Sequence, residues 1–176
     1  MRLSKIIVLL AVFFTSGMAS TFVSYHETAD KLLQQNIKNG LRATTDEVKK
    51  ALKSKDTLVV DVRSVREWAG AHIKGSVRVG RQTPELAISN FALDDDGKLI
   101  KDKLIVVCNT GHRASLEAVI FRKMGFKQVK VYPLDEWIDE CNPIATKYSS
   151  QEYKEGRSKK FGLFYSELCY EKAIKN

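Results

Sequence analysis

The sequence has few cysteines, and none of them forms a metal-binding pattern. Only three occur among the 176 residues. Three are too few for a scaffold held together mainly by disulfides, and no Cys-X-X-Cys pair is present to bind zinc. No internal repeat or low-complexity tract occurs either. With 44% hydrophobic and 28% charged residues, the composition excludes wholesale disorder and, at this length, indicates one folded domain.

The sequence also lacks a long hydrophobic run. The longest apolar run near the N-terminus has nine residues, 6–14, and rises only about 13 Å as a helix against a bilayer core of roughly 30 Å. Two basic residues precede it, and residues 17–19 place small side chains where a signal peptidase inspects the chain. The pattern predicts a signal peptide over residues 1–19 and a periplasmic or secreted protein. The alternative is an uncleaved, tilted anchor; no Cys follows the run to carry a lipid.

Acidic residues are outnumbered, since 29 Lys and Arg face 21 Asp and Glu for a net charge of +8. Such a balance suits a nucleic acid, an anionic membrane surface or a small anionic substrate. Loss of two basic residues with the signal peptide would leave 27 against 21, or +6. Because an exported protein does not meet cytosolic nucleic acid, the charge favours a small anion. Export also places the chain where disulfides are permitted.

Strand and helix signals alternate through the middle of the chain. Short apolar runs predict three buried parallel strands at Thr57–Val62, Lys103–Cys108 and Val129–Tyr132. Capping signals and apolar spacing predict helices near residues 45–53, 63–69, 84–88, 114–124 and 133–140. This alternation is typical of an α/β domain with an open parallel sheet flanked by helices. An acidic turn at residues 94–97 lacks the spacing of a calcium loop.

Cys108 ends the second predicted strand, directly before a predicted helix. Ligands of open α/β sheets bind at this carboxyl edge, and the turn that follows can aim successive backbone N–H groups inward as an anion-binding nest. Gly111 permits the backbone angle that such a turn needs, and Arg113 adds a permanent positive charge. Because these features and the helix dipole stabilise a thiolate, the pattern favours a nucleophilic Cys108 over a buried, inert one.

Two segments together carry a longer pattern. Residues 61–76 read DVRSVREWAGAHIKGS, and residues 108–114 read CNTGHRA. The first is similar to the D-V-R-x-x-x-E-[FW] … G-H-I-x-G-[AS] signature of single-domain rhodaneses, and the second resembles their active-site loop. The resemblance implies a rhodanese-like domain over residues 45–141. A lead-in segment at 20–44 would precede it, and a C-terminal helical extension at 142–176 would pack on it.

The resemblance implies a sulfurtransferase that needs no metal or organic cofactor. In this family the loop cysteine carries sulfur as a persulfide, taken from a sulfane donor such as thiosulfate and passed to cyanide, a thiol or a protein acceptor. Cys108 would be the nucleophile and carrier, and Arg113 would help to bind the donor's anionic group. The anionic sulfur would lie among the backbone N–H groups of Asn109, Thr110, Gly111, His112, Arg113 and Ala114.

Four residues separate Cys108 from Arg113. This is the loop length of the sulfurtransferases of this fold, and it is shorter than the loop of the related dual-specificity phosphatases. The resemblance therefore disfavours a phosphatase. The predicted export implies no nucleic-acid partner, and the short apolar run implies no stable membrane anchor.

Other residues of the two motifs are assigned weaker roles. Asp61 is expected to hold Arg63 or the local backbone, and His72 to make a structural hydrogen bond. His112 either tunes Cys108 or contacts the acceptor, or it is a solvated side chain. Cys141 and Cys169 lie 28 residues apart and form either a disulfide or two reduced thiols, whereas Cys108 is expected to stay unpaired.

The sequence departs from the family pattern after the third strand. The segment Leu134–Trp137 lacks the Gly-Gly pair that the family usually carries there, and it has acidic residues instead. With the basic extension, this departure favours an alternative function, a non-catalytic sulfur- or anion-binding carrier acting with a partner protein. A thiol redox protein is a third possibility, but no second cysteine lies near Cys108 in the sequence.

Overall fold

The computed structural model describes residues 22–147, 163–164 and 169 of the chain. The predicted signal peptide at residues 1–19 and most of the predicted extension at 142–176 lie outside the described residues. Within the described ranges, no helix is both long and apolar enough to cross a bilayer.

The described residues form a series of helices and strands that alternate through the middle of the chain. The helices are α1 (Tyr25–Lys38), α2 (Thr45–Ala51), α3 (Val65–Gly70), α4 (Pro84–Ala87), α5 (Ser89–Ala92), α6 (His112–Lys123) and α7 (Leu134–Asp139). The strands are β1 (Thr57–Asp61), β2 (Val77–Arg78), β3 (Lys103–Cys108), β4 (Gln128–Pro133), β5 (Ile144–Ala145) and β6 (Leu163–Phe164).

A parallel four-strand sheet in the order β2-β1-β3-β4 forms the centre. β1 and β3 align Thr57 with Lys103, and β3 and β4 align Cys108 with Pro133. The three predicted strands are therefore confirmed as neighbours whose carboxyl ends meet at one edge. The open parallel sheet with flanking helices confirms the predicted fold class. β5 and β6 pair separately as an antiparallel ribbon.

Both faces of the sheet are buried, which explains why its strands are apolar without alternation. On one face, strand side chains pack against α6; on the other they pack against α2 and α7. The first cluster includes Val60, Val106, Val131, Ala118 and Phe121. The second includes Val59, Ile105, Val107, Val48 and Trp137.

Local capping signals set several helix boundaries. Thr44 and Ser64 each accept a hydrogen bond from a backbone N–H three residues on, and the glutamate at that position bonds back to the cap. These two capping boxes begin α2 and α3. Gly125 follows α6 with a φ of +98°, the left-handed conformation expected after a helix end. The helix starts near residues 45 and 65 thus follow from local chemistry.

Five elements have no counterpart in the sequence prediction: α1, β2, α5, β5 and β6. The prediction of a helical extension at 142–176 is wrong for residues 144–145 and 163–164, which pair with each other as strands. α1 is polar, and Ala29 and Asn36 are its buried residues, so it has little of the apolar periodicity that identifies a helix. β2 has two residues and α5 four, too few for a periodic signal. α1 lies along α6, and the segment after it joins the sheet: Val131 N–H donates to Leu41 O, and Ala43 N–H donates to Val131 O.

Replacing Phe121 with Ala is expected to lower the free energy of unfolding by about 3–5 kcal/mol, because a fully buried ring leaves a cavity. Phe121 is 0% exposed, whereas its neighbour Ile120 on the same helix is 39% exposed. Ile120→Ala is the matched control and should cost less than about 1 kcal/mol. Equal losses in urea unfolding would contradict the assigned face of α6.

Candidate active site

Cys108 lies at the carboxyl end of β3, where the chain turns into α6. Its side chain is 1% exposed and free of any disulfide. The Sγ atom accepts hydrogen bonds from Gly111 N–H at 3.2 Å and from Ala114 N–H at 3.4 Å. Two of the six predicted loop N–H groups therefore reach the sulfur directly. Donors fixed in this way favour an anionic sulfur over a neutral thiol.

Gly111 makes the turn that aims these donors. Its φ is +92°, and it directly precedes the first residue of α6. A Cβ at this position would lie 3.1 Å from Leu33 Cδ1 of α1, so both the backbone angle and the lack of space require glycine. Ser115 supports the same turn, since its N–H and its hydroxyl both donate to Gly111 O, at 2.9 and 2.8 Å.

A buried ion pair lies next to the loop. Asp61 and Arg63 are 1% and 3% exposed, and Asp61 accepts from Arg63 N–H at 2.9 Å, Nε at 3.0 Å and Nη2 at 2.7 Å. Arg63 Nη1 donates to Asn109 Oδ1 at 2.9 Å, and its Nη2 also donates to Ala71 O. The structural role expected for Asp61 is confirmed. The Asn109 side chain is bonded to Arg63, so Asn109 has only its backbone N–H to contribute to the anion-binding nest.

Arg113 is paired with an acidic residue that the sequence analysis did not single out. Its Nη1 and Nη2 donate to Glu67 Oε2 at 3.0 Å and Oε1 at 2.6 Å. Glu67 also accepts from the backbone N–H and the hydroxyl of Ser64. Mainly because of the Arg113 hydrogen bonds, the pKa of Glu67 falls to about 2 and that of Arg113 rises. Glu67 could have been identified from the sequence, because it occupies the acidic position of the D-V-R-x-x-x-E-[FW] signature.

A cleft of about 530 Å³ opens beside the loop, and charges of both signs line it. Arg113 is neutralised there by Glu67, whereas Arg81 forms no ion pair with any described residue. Burial, and to a smaller extent Glu85, raises the pKa of Glu117. The lining residues are Tyr25, Val62, Glu67, Arg81, Arg113, Leu116 and Glu117.

His112 is hydrogen-bonded on both ring nitrogens. Nδ1 lies 2.6 Å from Thr110 Oγ1, and Nε2 lies 2.6 Å from Asp30 Oδ1 on α1. The His112 ring is thus held on both sides while its side chain is 32% exposed, and its role in tuning Cys108 or contacting the acceptor stays a prediction. Asp30 gave no signal in the sequence, because it lies outside both motifs.

His72 contacts helix α3, which precedes it in the chain. Its Nδ1 bonds to Trp68 O at 2.7 Å, and its ring stacks on the Trp68 ring with centroids 3.9 Å apart. Burial lowers the pKa of His72, which favours the neutral ring. Its expected structural hydrogen bond is confirmed.

The segment that lacks the glycine pair still contacts the loop. Asp135 N–H, at the start of α7, donates to Asn109 O at 3.1 Å. The Asp135 side chain is exposed, and its pKa is raised by partial burial and by Asp139, against the effect of Arg63. An acidic residue therefore does lie near the loop.

Cys141 and Cys169 form a disulfide, with Cα atoms 5.2 Å apart. This decides between the two alternatives and leaves Cys108 as the free thiol of the chain. No group of three or more His, Cys, Asp or Glu side chains that could hold a metal ion occurs within the described ranges.

The open parallel sheet with a cysteine in an N–H-lined loop defines a protein of the rhodanese fold. The model of the rhodanese-like domain family matches residues 44–137, slightly more than half of the chain. The chain belongs to the rhodanese-like domain family. No curated protein sequence matches it significantly.

One solved structure supports the same fold, and two others are less similar to the chain. The chain is similar to the polysulfide-sulfur transferase homodimer from Wolinella succinogenes, with 20% identity, a TM-score of 0.51, and coverage of 75% of this chain and 100% of that chain. A protein of unknown function from Rhodopseudomonas palustris has 22% identity and a TM-score of 0.49, covering 70% and 96%. The anaerobic ergothioneine biosynthesis enzyme from Chlorobium limicola has 23% identity and a TM-score of 0.43, covering 56% and 30%.

Replacing Arg113 with Ala is expected to raise the pKa of Glu67 from about 2 toward its ordinary 4.5, since the guanidinium donors are lost. The pair stabilises the fold above pH 4.5, and this stabilisation disappears as the pH falls through about 2 because Glu67 is protonated. The variant should therefore lose stability at neutral pH and little at about pH 2. Carboxyl carbon NMR titration measures the pKa. Arg66→Ala, on the same helix as Glu67, is the control; an unmoved Glu67 titration in Arg113→Ala would contradict the pairing.

Proposed function

We propose that this protein is a sulfurtransferase that accepts sulfane sulfur on Cys108 from a small anionic donor such as thiosulfate. It then passes the sulfur to a thiophilic acceptor. The observation that carries the proposal is the contact of Cys108 Sγ with Gly111 N–H and Ala114 N–H at the end of β3. Membership of the rhodanese-like family supports a sulfur-transfer role.

The first step forms a persulfide. The Cys108 thiolate attacks the outer sulfur of thiosulfate, the sulfur–sulfur bond of the donor breaks, and sulfite leaves with the bonding electron pair. The outer sulfur then carries the negative charge, next to the Cys108 Sγ atom that the Gly111 and Ala114 N–H groups contact. No general base takes part in this step, because a thiolate attacks the donor sulfur directly.

The second step regenerates the enzyme. An acceptor thiolate or cyanide attacks the outer sulfur of the persulfide, and the Cys108 sulfur leaves as a thiolate. The fixed N–H donors stabilise this leaving group as they stabilised the nucleophile, at no cost of reorganisation during the reaction.

Two arginines line the cleft and are candidates to bind the anionic group of the donor. Arg113 lies in the loop but is already bonded to Glu67 at two positions. Arg81 lines the same cleft and forms no ion pair with a described residue. We assign donor binding to Arg113, with Glu67 orienting its guanidinium, because Arg113 lies in the loop itself.

A carrier that binds sulfur and delivers it to a partner protein remains the second candidate. Two observations favour it: Cys108 is 1% exposed, and the charge of Arg113 is already neutralised. A carrier takes up one sulfur on Cys108 but transfers it slowly to cyanide or to small thiols.

We further propose that the protein acts in the periplasm or outside the cell after loss of residues 1–19. The Cys141–Cys169 disulfide supports this, because structural disulfides are typical of oxidising compartments. The intact mass of protein isolated from cells tests the proposal, since an uncleaved chain or reduced Cys141 and Cys169 would contradict it.

Incubation of the protein with thiosulfate is expected to add one sulfur atom, located on Cys108 by mass spectrometry. Cys108→Ser should abolish both this addition and the transfer of sulfur to cyanide, because serine cannot form a persulfide. Cys141→Ser/Cys169→Ser serves as the control and should retain the added sulfur. A wild-type protein that takes up no sulfur would refute the proposed function, and uptake without transfer would favour the carrier.

Arg113→Lys is expected to raise the KM for thiosulfate by about tenfold, because an ammonium loses the paired hydrogen bonds to Glu67 that orient the guanidinium beside the donor. Arg81→Lys is the comparison, and its KM should change by less than about threefold. Steady-state kinetics of sulfur transfer from thiosulfate to cyanide gives the KM of each variant. A larger effect at Arg81 would move donor binding to that side of the cleft.

A further inference from the structure

Helix α1 precedes the residues that match the family model, and it is held at several points of the domain. Asn36 Oδ1 accepts from Arg122 Nη2 of α6 at 2.7 Å. Beyond the helix, Leu41 and Ala43 bond to the edge of β4 through Val131. Because these contacts fix the C-terminal half of α1, the helix can hold whatever it touches further along its length.

What α1 touches is the Cys108 loop, at two consecutive residues. Leu33 packs on Gly111, whose N–H donates to Cys108 Sγ. Asp30 Oδ1 lies 2.6 Å from His112 Nε2, with the two side chains 64% and 32% exposed. Helix α1 therefore holds Gly111 through an apolar contact and His112 through a polar contact.

The polar contact continues into the loop, since His112 Nδ1 lies 2.6 Å from Thr110 Oγ1. A carboxylate only accepts hydrogen bonds, so the neutral ring must carry its proton on Nε2 to bond to Asp30. Nδ1 is then free to accept from the Thr110 hydroxyl. Asp30 thus selects the ring form that joins residues 110 and 112 across Gly111.

We propose that α1 is a component of the active site, in which Asp30 is a positioning residue that orients His112 and Thr110 around Gly111. The proposal rests on the function proposed above. Asp30 acts indirectly, through the conformation of the loop. Because the hydrogen bond between His112 and Thr110 joins the residues on either side of Gly111, the Gly111 N–H stays directed at Cys108 Sγ. Preorganised donors stabilise the anionic sulfur in the attacking and leaving states, so loosening them slows both transfer steps.

Three variants test this role on the full chain. Asp30→Ala removes the acceptor and is expected to lower kcat for sulfur transfer about three- to fivefold, with KM for thiosulfate unchanged. Asp30→Asn retains an oxygen that accepts from Nε2–H and should stay within about twofold of wild type. Glu27→Gln, an exposed acid on the same helix, is the control for the loss of charge.

Two further measurements do not depend on sulfur transfer. Cys108 is the free thiol of the chain, so its alkylation rate by iodoacetamide reports thiolate stabilisation and should fall in Asp30→Ala alone. Nitrogen NMR of the His112 ring at about pH 9, where imidazoles are neutral, should show one protonated nitrogen in wild type and Asp30→Asn. In Asp30→Ala the two ring nitrogens should become more alike.

Slower transfer and slower alkylation in Asp30→Ala, with recovery in Asp30→Asn, would support the positioning role. Equal rates in Asp30→Ala and Glu27→Gln would overturn it, and so would an Asp30→Asn variant as slow as Asp30→Ala. If wild type takes up no sulfur, the proposed function fails, and the alkylation and NMR results still decide the role of Asp30.

Discussion

The left-handed turn at Gly111 is the constraint on which the site depends. With a φ of +92°, this residue reverses the chain so tightly that its own N–H and that of Ala114 face the sulfur at the end of β3. The same turn starts α6, which packs on the central strands and covers the Cys108 side chain on that face of the sheet. Because a Cβ on Gly111 would meet Leu33, the turn also fixes how closely α1 approaches. The backbone angle of Gly111 thus affects the surroundings of Cys108, the start of α6 and the contact with α1.

The distribution of charge around this turn differs from what a net charge of +8 suggests. Arg63 is buried against Asp61, and Arg113 donates two hydrogen bonds to the Glu67 carboxylate. Both arginines therefore serve as fixed donors more than as free positive charge. A guanidinium held in this way presents a defined geometry to an anion and loses little entropy on binding. The positive potential of the whole chain would act mainly on the approach of a donor.

Most of the sheet and the loop at Cys108 could be predicted from the sequence, because their causes are local. A strand buried on both faces needs a continuous apolar run, and β3 has the predicted bounds. The Cys108 loop was recognisable because an N–H nest needs glycine at a particular place. By contrast, the pairing of Arg113 with Glu67 joins residues 46 positions apart, and no local pattern states which acid an arginine will meet. Asp30 acts from a polar helix with few buried residues, so neither its helix nor its contact had a periodic signal.

The sequence by itself determined the fold class, the position of Cys108 at the end of a strand and the turn that carries its hydrogen-bond donors. These follow from apolar spacing, capping residues and the conformational freedom of glycine, which act over a few neighbouring residues. Tertiary structure alone decided that Cys141 bonds to Cys169, that Glu67 holds Arg113, and that Asp30 reaches the loop. Each of these depends on which surfaces meet when helices pack on the sheet, and that is a property of the whole chain.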